Sequence, residues 1–147
     1  MFGTEKSGVN TYATVSVETD VVSASPHKLI VMLFDGALVA LGTGMLKMKA
    51  GHTAEKGQAL SKAILIIENG LRSSLNMNAG GEIAENLDAL YEYMANRLLQ
   101  ANLKNDPAIL EEVQRLLAEL RGAWNAIGPS ATLQQTEHQD LVQVHSL

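Results

Sequence analysis

Residues 80–103 of the chain read GGEIAENLDALYEYMANRLLQANL, and this stretch decides the fold. Its apolar residues recur at steps of three and four, so on a helix with about 100° per residue they form one stripe suited to a core. The stripe consists of Ile83, Leu87, Leu90, Met94, Leu98 and Ala101. Tyr93, Leu99 and Leu103 lie outside it, where a surface helix usually carries charge. The stretch therefore predicts a helix with more apolar surface than one core can bury.

Start signals on either side of this stretch predict further helices. Ser25 and Pro26 open the first, because a serine oxygen can accept a hydrogen bond from an early backbone N–H and proline has no N–H to satisfy. Asp106 and Pro107 repeat the pattern before the last helix, and Thr53 is the predicted cap of the second. All three prolines of the chain fall at predicted helix boundaries, so the strongest helix breakers agree with this division.

Each of these helices has its own core stripe. The first helix, to about Lys49, is apolar almost all round, so it is either central in the fold or covered by a partner. Its predicted stripe is Leu29, Leu33, Ala37, Ala40 and Gly44. The second helix, ended by Gly80 and Gly81, has Leu60, Ala63, Ile64, Ile67 and Leu71. The fourth has Leu110, Val113, Leu117, Leu120 and Trp124 at the alternating spacing of bundle helices.

Connections of about two to seven residues between helices of about twenty force neighbouring helices to run antiparallel. The sequence therefore predicts an all-α protein, an antiparallel up-down-up-down four-helix bundle over residues 25–128. Residues 1–24 form a predicted extended N-terminal arm, and residues 129–147 a polar, flexible C-terminal tail.

Composition and charge exclude several partners and locations. The 147 residues include no cysteine, which excludes disulfides and thiol catalysis and agrees with a cytoplasmic location. The net charge is −5, and no run of Lys and Arg offers the basic face that nucleic acid requires. The start lacks the features of a cleavable signal. The apolar run of residues 29–46 contains Asp35 and three glycines, so no membrane insertion is expected.

No arrangement of residues indicates an enzyme, a metal site or a cofactor site. A di-iron bundle needs Glu-x-x-His pairs, and no glutamate here is followed three residues later by a histidine. Glu82, Glu85, Asp88 and Glu92 cluster on one flank of the third helix and are expected to be solvated. His27, in the first turn of the first helix, is expected to face solvent. Asp35 interrupts an apolar face, and it is expected either to meet water or to pair with a basic residue of another helix or of a partner.

Several short motifs, in order and spacing, resemble the FliS family of flagellar export chaperones. They are Ser25-Pro26, Met32-Leu33-Phe34-Asp35-Gly36, Ile66-Ile67, Gly80-Gly81-Glu82 and Leu90-Tyr91, within a resemblance that covers about Tyr12 to Ile127. Each motif alone is weak evidence, but the order and spacing of the motifs along the chain make the resemblance specific. The family position that often reads Leu-Tyr is Leu33-Phe34 here, and the tail after Gly128 lies outside the shared pattern.

The resemblance implies a cytoplasmic, ATP-independent chaperone that binds the disordered C-terminal segment of flagellin. It would prevent premature polymerisation and bring flagellin to components of the flagellar type III export gate. An amphipathic flagellin terminus needs a substitute partner for its apolar face before export, and the surplus apolar residues would line grooves for it. The predicted groove residues are Ile30, Phe34, Leu41, Leu65, Ile66, Tyr91, Tyr93, Leu99 and Leu103. Tyr91, next to the main stripe, is equally expected at the edge of the core with its hydroxyl in water.

The N-terminal arm has a pattern of its own. Val15 and Val17 alternate with polar residues, a period of two that is typical of extended chain, although an all-helical protein offers no sheet to join. In the family that the chain resembles, the corresponding arm, with a tyrosine matching Tyr12, covers part of the client surface until flagellin displaces it. Tyr12, Val15 and Val17 are therefore the predicted groove cover. The alternative is a disordered leader with accidental alternation.

A self-associating bundle is the alternative to a flagellin chaperone. Flanks that pair with copies of the same chain would explain the apolar surplus without any client. For the oligomeric state, the sequence leaves a monomer or a weak homodimer.

Overall fold

The structure of the protein, a computed structural model, describes residues 24–128. The regular structure of this part of the chain is helical: α1, Pro26–Ala50; α2, Thr53–Leu65, continued by a π-helical segment, Ile66–Arg72; α3, Met77–Lys104; and α4, Pro107–Ile127. The prediction of an all-α four-helix bundle is confirmed. The predicted tail, and the arm up to residue 23, lie outside the described residues.

The predicted helix starts at Ser25 and Asp106 carry the expected hydrogen bonds. Ser25 Oγ accepts from the Lys28 N–H at 3.1 Å, and Asp106 Oδ1 accepts from the N–H two residues further on at 3.0 Å. Each bond satisfies one of the backbone donors left open at a helix start. The predicted cap at Thr53 is wrong by one residue, because His52 occupies the cap position and makes no side-chain hydrogen bond there.

α3 begins earlier than its sequence pattern indicates. Asn76 Oδ1 accepts from the Ala79 N–H at 3.0 Å, and the helix starts at Met77. The expectation that Gly80 and Gly81 end the second helix is therefore wrong. Gly81 has a φ of 57° and a ψ of −134°, a conformation that glycine adopts without steric cost, so the chain kinks within α3 instead.

The contacts between neighbouring helices show in which direction each helix runs relative to the next. As residue numbers rise along one helix, they fall along its neighbour, which is the order expected of neighbours that run in opposite directions. The pairs are Leu33 with Gly70 and Leu60 with Gly44 for α1 and α2, Arg72 with Asp88 and Lys56 with Asn102 for α2 and α3, and His27 with Trp124 and Asp35 with Arg121 for α1 and α4.

The buried face of α1 matches the predicted stripe in part, because Ala37, Ala40 and Gly44 are buried as predicted. Leu29 and Leu33, from the predicted stripe, are half-buried, whereas Val31, Phe34 and Leu41 are buried. α1 packs against both α2 and α4, so its buried face is wide. An apolar pattern all round a helix does not specify its rotation. The largest fully buried side chains of the core are Leu41, Leu60, Ile67, Leu71, Met94, Leu98, Leu110, Val113 and Leu117.

His27 is buried, so the expectation that it faces solvent is wrong. Its ring stacks on the Trp124 ring with the centroids 5.2 Å apart. The Trp124 Nε1–H donates to the His27 carbonyl oxygen at 3.1 Å, and His27 Nε2 lies 2.9 Å from the Trp124 carbonyl oxygen. These contacts join the start of α1 to the end of α4, and a partner 97 positions away is not visible in the local sequence.

Lys56 is the other buried polar side chain of the described bundle. Its Nζ donates to the Asn102 carbonyl oxygen at 3.0 Å and to the Asn105 side-chain oxygen. Asn105 ends α3 with a left-handed backbone, φ 51°. The last carbonyl groups of a helix have no partner within the helix and carry a partial negative charge. The ammonium group of Lys56 therefore supplies both the donors and the positive charge that the end of α3 lacks.

Candidate functional site

The outward side of α3 carries apolar side chains that the bundle does not bury. Tyr93 is 42% exposed, Leu99 51% and Leu103 83%, and we call these three residues the α3 flank. Leu99 and Leu103 are four residues apart, so they share one face of the helix. Leu65, on the outward side of α2, is 56% exposed. These four are the predicted groove residues that remain accessible at the surface.

Three predicted groove residues lie in the core instead. Phe34, Leu41 and Tyr91 are buried and belong to one cluster with the aliphatic residues of all four helices. Burial raises the pKa of the Tyr91 phenol well above its ordinary value. In the free bundle these side chains are therefore not accessible to a partner, and their contact with one stays a prediction that would require the helices to move. Phe34 and Leu41 belong to α1, where nearly every position is apolar, and Tyr91 borders the predicted stripe of α3.

Ile30 and Ile66 are intermediate between these two groups. Both are half-buried and pack against the core. A Cβ added at Gly36 would lie 3.4 Å from Ile66 Cδ1, which shows how closely α1 and α2 approach there. These two isoleucines can form the edge of a groove, but they do not offer a whole side chain to a partner.

Tyr93 is held in place by its neighbours. Its hydroxyl donates to Glu112 Oε2 at 2.6 Å, and Arg97 Nε donates to Glu112 Oε1 at 2.8 Å. These two hydrogen bonds lower the pKa of the Glu112 carboxyl. The Arg97 guanidinium carbon lies 6.0 Å from the Tyr93 ring centroid. The ring is thus fixed towards α4 while much of it stays accessible, so little side-chain freedom remains to be lost on binding.

A second charged cluster lies where α2 meets α3. Arg72, the last residue of the π-helical segment, donates to Asp88 at 2.6 Å and to Glu68 at 2.9 Å. It also lies 3.7 Å from Glu92. The hydrogen bond from Arg72 lowers the pKa of the Asp88 carboxyl. The expectation that this acidic flank is simply solvated is thus wrong for Asp88, which Arg72 binds from a neighbouring helix, whereas Glu92 stays mostly exposed.

Asp35 has a partner within the chain. Its Oδ1 accepts from Arg121 Nε of α4 at 2.5 Å, which is one of the two outcomes expected for it. The pair remains partly exposed, so it orients α1 against α4 more than it adds stability. Among residues 24–128, no group of three or more His, Asp or Glu side chains is arranged to hold a metal ion.

Two exposed residues of α1 were not singled out from the sequence. Val39 and Leu46 lie on the outward side of α1 and are among the most exposed large apolar side chains of residues 24–128. The available signal was that α1 is apolar all round, so some of its apolar residues had to face outwards. Which ones do so depends on the rotation of the helix.

α1 is also the one helix of the described region that is long and apolar enough to cross a membrane, by length and composition alone. A core helix meets the same criterion, and α1 contributes Phe34, Ala37 and Leu41 to the core. Its position between α2 and α4 accounts for the apolar residues that it buries.

The fold and the α3 flank together define a class of protein. The flank presents leucines on a bundle that already has a continuous aliphatic core, and the charged groups beside it are paired. Such a surface fits the apolar face of a helix from another chain. The molecule has the features of a small helical binding protein.

Comparison with known proteins identifies the family. The sequence model of the flagellar protein FliS matches residues 8–131. The chain is 55% identical over 130 residues to the flagellar secretion chaperone FliS of Salmonella typhimurium, covering 88% of this chain and 96% of that one. It is 50% identical over 117 residues to the flagellar secretion chaperone FliS of Escherichia coli, covering 80% and 86%. For that of Vibrio cholerae the identity is 44% over 124 residues, covering 84% and 90%. The chain belongs to the FliS family, as its motifs indicate.

Proposed function

We propose that the protein is a cytoplasmic flagellar secretion chaperone that binds the C-terminal segment of flagellin. Its relatives are named flagellar secretion chaperones, and the family match spans the whole described bundle. The observation that carries the proposal is the α3 flank, whose leucines are exposed on a bundle with a complete core. An amphipathic helix laid along the flank would bury these side chains.

Binding of this kind needs neither a catalytic group nor a nucleotide. A disordered segment that folds on the bundle buries its own apolar face, and that face is then unavailable for polymerisation. The ordering of such a segment typically costs about 2–5 kcal/mol, so the contacts must extend over a wide surface. Components of the flagellar export gate would then receive the chaperone together with its bound flagellin segment.

The test of this function compares full-length flagellin with flagellin that lacks its last ~50 residues, a length that spans about 75 Å as a helix and can wrap one small domain. We expect the immobilised chaperone to retain the full-length protein and not the shortened one. The isolated segment should gain helical circular-dichroism signal on mixing, beyond the sum of the components. Equal retention of both flagellins, or a bound segment that stays coiled, would contradict the proposal.

Replacing Tyr93 with alanine should weaken flagellin binding by about 1 kcal/mol. The melting temperature should change little, because the ring is partly exposed and its hydroxyl bonds only to Glu112. Tyr93→Phe is the matched control, since it removes this hydrogen bond and keeps the ring; it should lose much less affinity than Tyr93→Ala does. Calorimetric titration and thermal unfolding measure the two effects. Reduced stability with unchanged binding would mean that Tyr93 serves the bundle alone.

The arm that carries Tyr12, Val15 and Val17 is part of the proposal as a cover that flagellin displaces. Deleting residues 1–19 should leave the bundle folded and tighten flagellin binding, because a groove that is closed part of the time has a lower apparent affinity. Amides of residues 12–18 should be partly protected from hydrogen exchange in the free chaperone and should lose protection when flagellin is added. Fast exchange of these amides in both states would reject the cover.

A further inference from the structure

The outward side of α1 carries an apolar strip that the described part of the bundle leaves uncovered. Val39 is 69% exposed and Leu46 70%. These side chains are about two helical turns apart, so they lie on the same side of α1. Gly42 lies between them, and a Cβ built on it would have none of the described atoms within 4 Å. The three residues form a strip about 10 Å long, which we call the α1 strip.

The chain that follows α4 begins beside the start of α1. The Trp124 Nε1–H donates to the His27 carbonyl oxygen at 3.1 Å, and the two rings stack with their centroids 5.2 Å apart. Gly128 then ends α4 with a φ of 86°, a value that takes the backbone out of the helical path. Residues 129–147 therefore start at the same end of the bundle as α1.

Residues 141–147 have the spacing of a short amphipathic helix. They read LVQVHSL, with no Lys, Arg, Asp or Glu that docking would bury. The apolar residues that recur among them at steps of three are Leu141, Val144 and Leu147. On a helix these residues share one side and span about 9 Å, close to the length of the α1 strip. A helix of two turns is marginal by itself in water, so it needs an apolar surface on which to form.

The intervening chain has the composition and length of a linker to the strip. Residues 129–140 contain Leu133 as their one large apolar residue. A flexible chain of this length has a root-mean-square end-to-end distance of about 19 Å. The rise along α1 from His27 to Val39 is about 18 Å, whereas the rise to Leu46 is about 29 Å. The linker thus reaches the near end of the strip without being stretched.

We propose that residues 141–147 dock on the α1 strip of their own chain and run parallel to α1. The linker length selects this direction, because the reverse one would require the linker to reach Leu46 first. Val144 then lies at Gly42, where the missing Cβ leaves room for a branched side chain. Leu141 lies at Val39, at the near end of the strip.

This contact is separate from the function that the family shares. The family match ends at residue 131, so it does not include residues 141–147. A tethered segment has an effective concentration in the millimolar range, so a few apolar contacts are enough for reversible docking. Docking removes Val39 and Leu46 from water and so reduces the exposed apolar surface of the bundle. It involves no flagellin and does not depend on the proposed function.

Cysteine cross-linking tests the contact, because the chain has no cysteine of its own. Thr43→Cys places a thiol at an exposed position beside the strip, and His145→Cys places one in the docking segment, so the apolar residues of both stay intact. With oxidised glutathione, this double variant should form a disulfide within one chain, at a rate independent of protein concentration.

The matched control pairs His145→Cys with Ser61→Cys on α2. Ser61 is exposed and lies at a similar height in the bundle, because its neighbour Leu60 packs on Gly44 of α1. It should cross-link about tenfold more slowly than the pair with Thr43→Cys, because docking raises the local concentration only at the strip. Equal rates for the two pairs would overturn the proposal. Links between chains only would assign the strip to a second copy and overturn it as well.

Hydrogen exchange of the full chain without flagellin gives the second readout. Amides of residues 142–147 should exchange more slowly than those of a free peptide of the same sequence. Leu46→Glu should abolish this protection, and Leu65→Glu, at an exposed leucine of α2, should leave it unchanged. Exchange as fast as in the peptide, or an equal effect of both variants, would overturn the proposal. So would protection that appears only when flagellin is added, since the strip would then belong to the client.

Discussion

Replacing Leu41 with alanine is expected to lower the free energy of unfolding by about 2–5 kcal/mol. Leu41 is fully buried in the cluster that joins all four helices. The substitution removes three carbon atoms from a packed core and leaves a cavity that the surrounding helices can only partly fill. Urea unfolding followed by circular dichroism measures the change. This is the largest effect expected for a single substitution proposed for this protein.

Leu103→Ala is the matched control for Leu41→Ala. Leu103 has the same side chain in a strongly exposed position, so the loss of stability should be within about 0.5 kcal/mol. If Leu41→Ala weakened flagellin binding at unchanged stability, Leu41 would be a groove residue as the sequence pattern predicts, and the rotation of α1 would have to be revised. Comparison of the two variants thus distinguishes a core leucine from a surface leucine.

Replacing Lys56 with methionine should cost about 2 kcal/mol, because two acceptors at the end of α3 lose the hydrogen bonds of a charged donor. The Asn102 carbonyl and the Asn105 side-chain oxygen are the groups left without this donor. Methionine keeps most of the apolar stem, so the change concerns hydrogen bonds and charge more than packing. Chemical unfolding gives the total effect.

The matched control for this variant is Lys62→Met on the same helix, where the side chain is exposed. It should leave stability nearly unchanged. Hydrogen exchange locates the effect, since amides in the last turn of α3 should lose protection in Lys56→Met and not in Lys62→Met. Equal destabilisation by both variants would show that Lys56 acts through the net charge of α2 and not through its two hydrogen bonds.

Local signals were sufficient to place the starts of α1 and α4. Ser25 and Asp106 are capping residues next to prolines, and both caps are present with their hydrogen bonds. The same reasoning failed at Gly80 and Gly81, because glycine permits a kink within a helix as readily as an end. A breaker signal shows that the backbone changes direction, but whether the helix resumes depends on what it packs against.

The candidate site was predictable in part, and the difference between α3 and α1 explains why. On α3 most residues beside the apolar stripe are polar, so the wheel correctly places Tyr93 and Leu99 at the surface and Met94 in the core, although Tyr91 at the edge of the stripe is buried. On α1 nearly every position is apolar, so several rotations bury a similar area. Phe34 and Leu41 were placed on the surface for this reason, and Val39 and Leu46 were not singled out.

By itself, the sequence determined that the chain is all-helical, where α1 and α4 begin and that α3 carries excess apolar surface, because each of these follows from residues within a few positions of one another. Only the tertiary structure decided which face of α1 is buried and that His27 and Lys56 lie inside. Their partners, Trp124 and Asn102, are distant in sequence. A polar side chain can be buried when folding brings it a hydrogen-bond partner, and that partner is known only once the helices have packed.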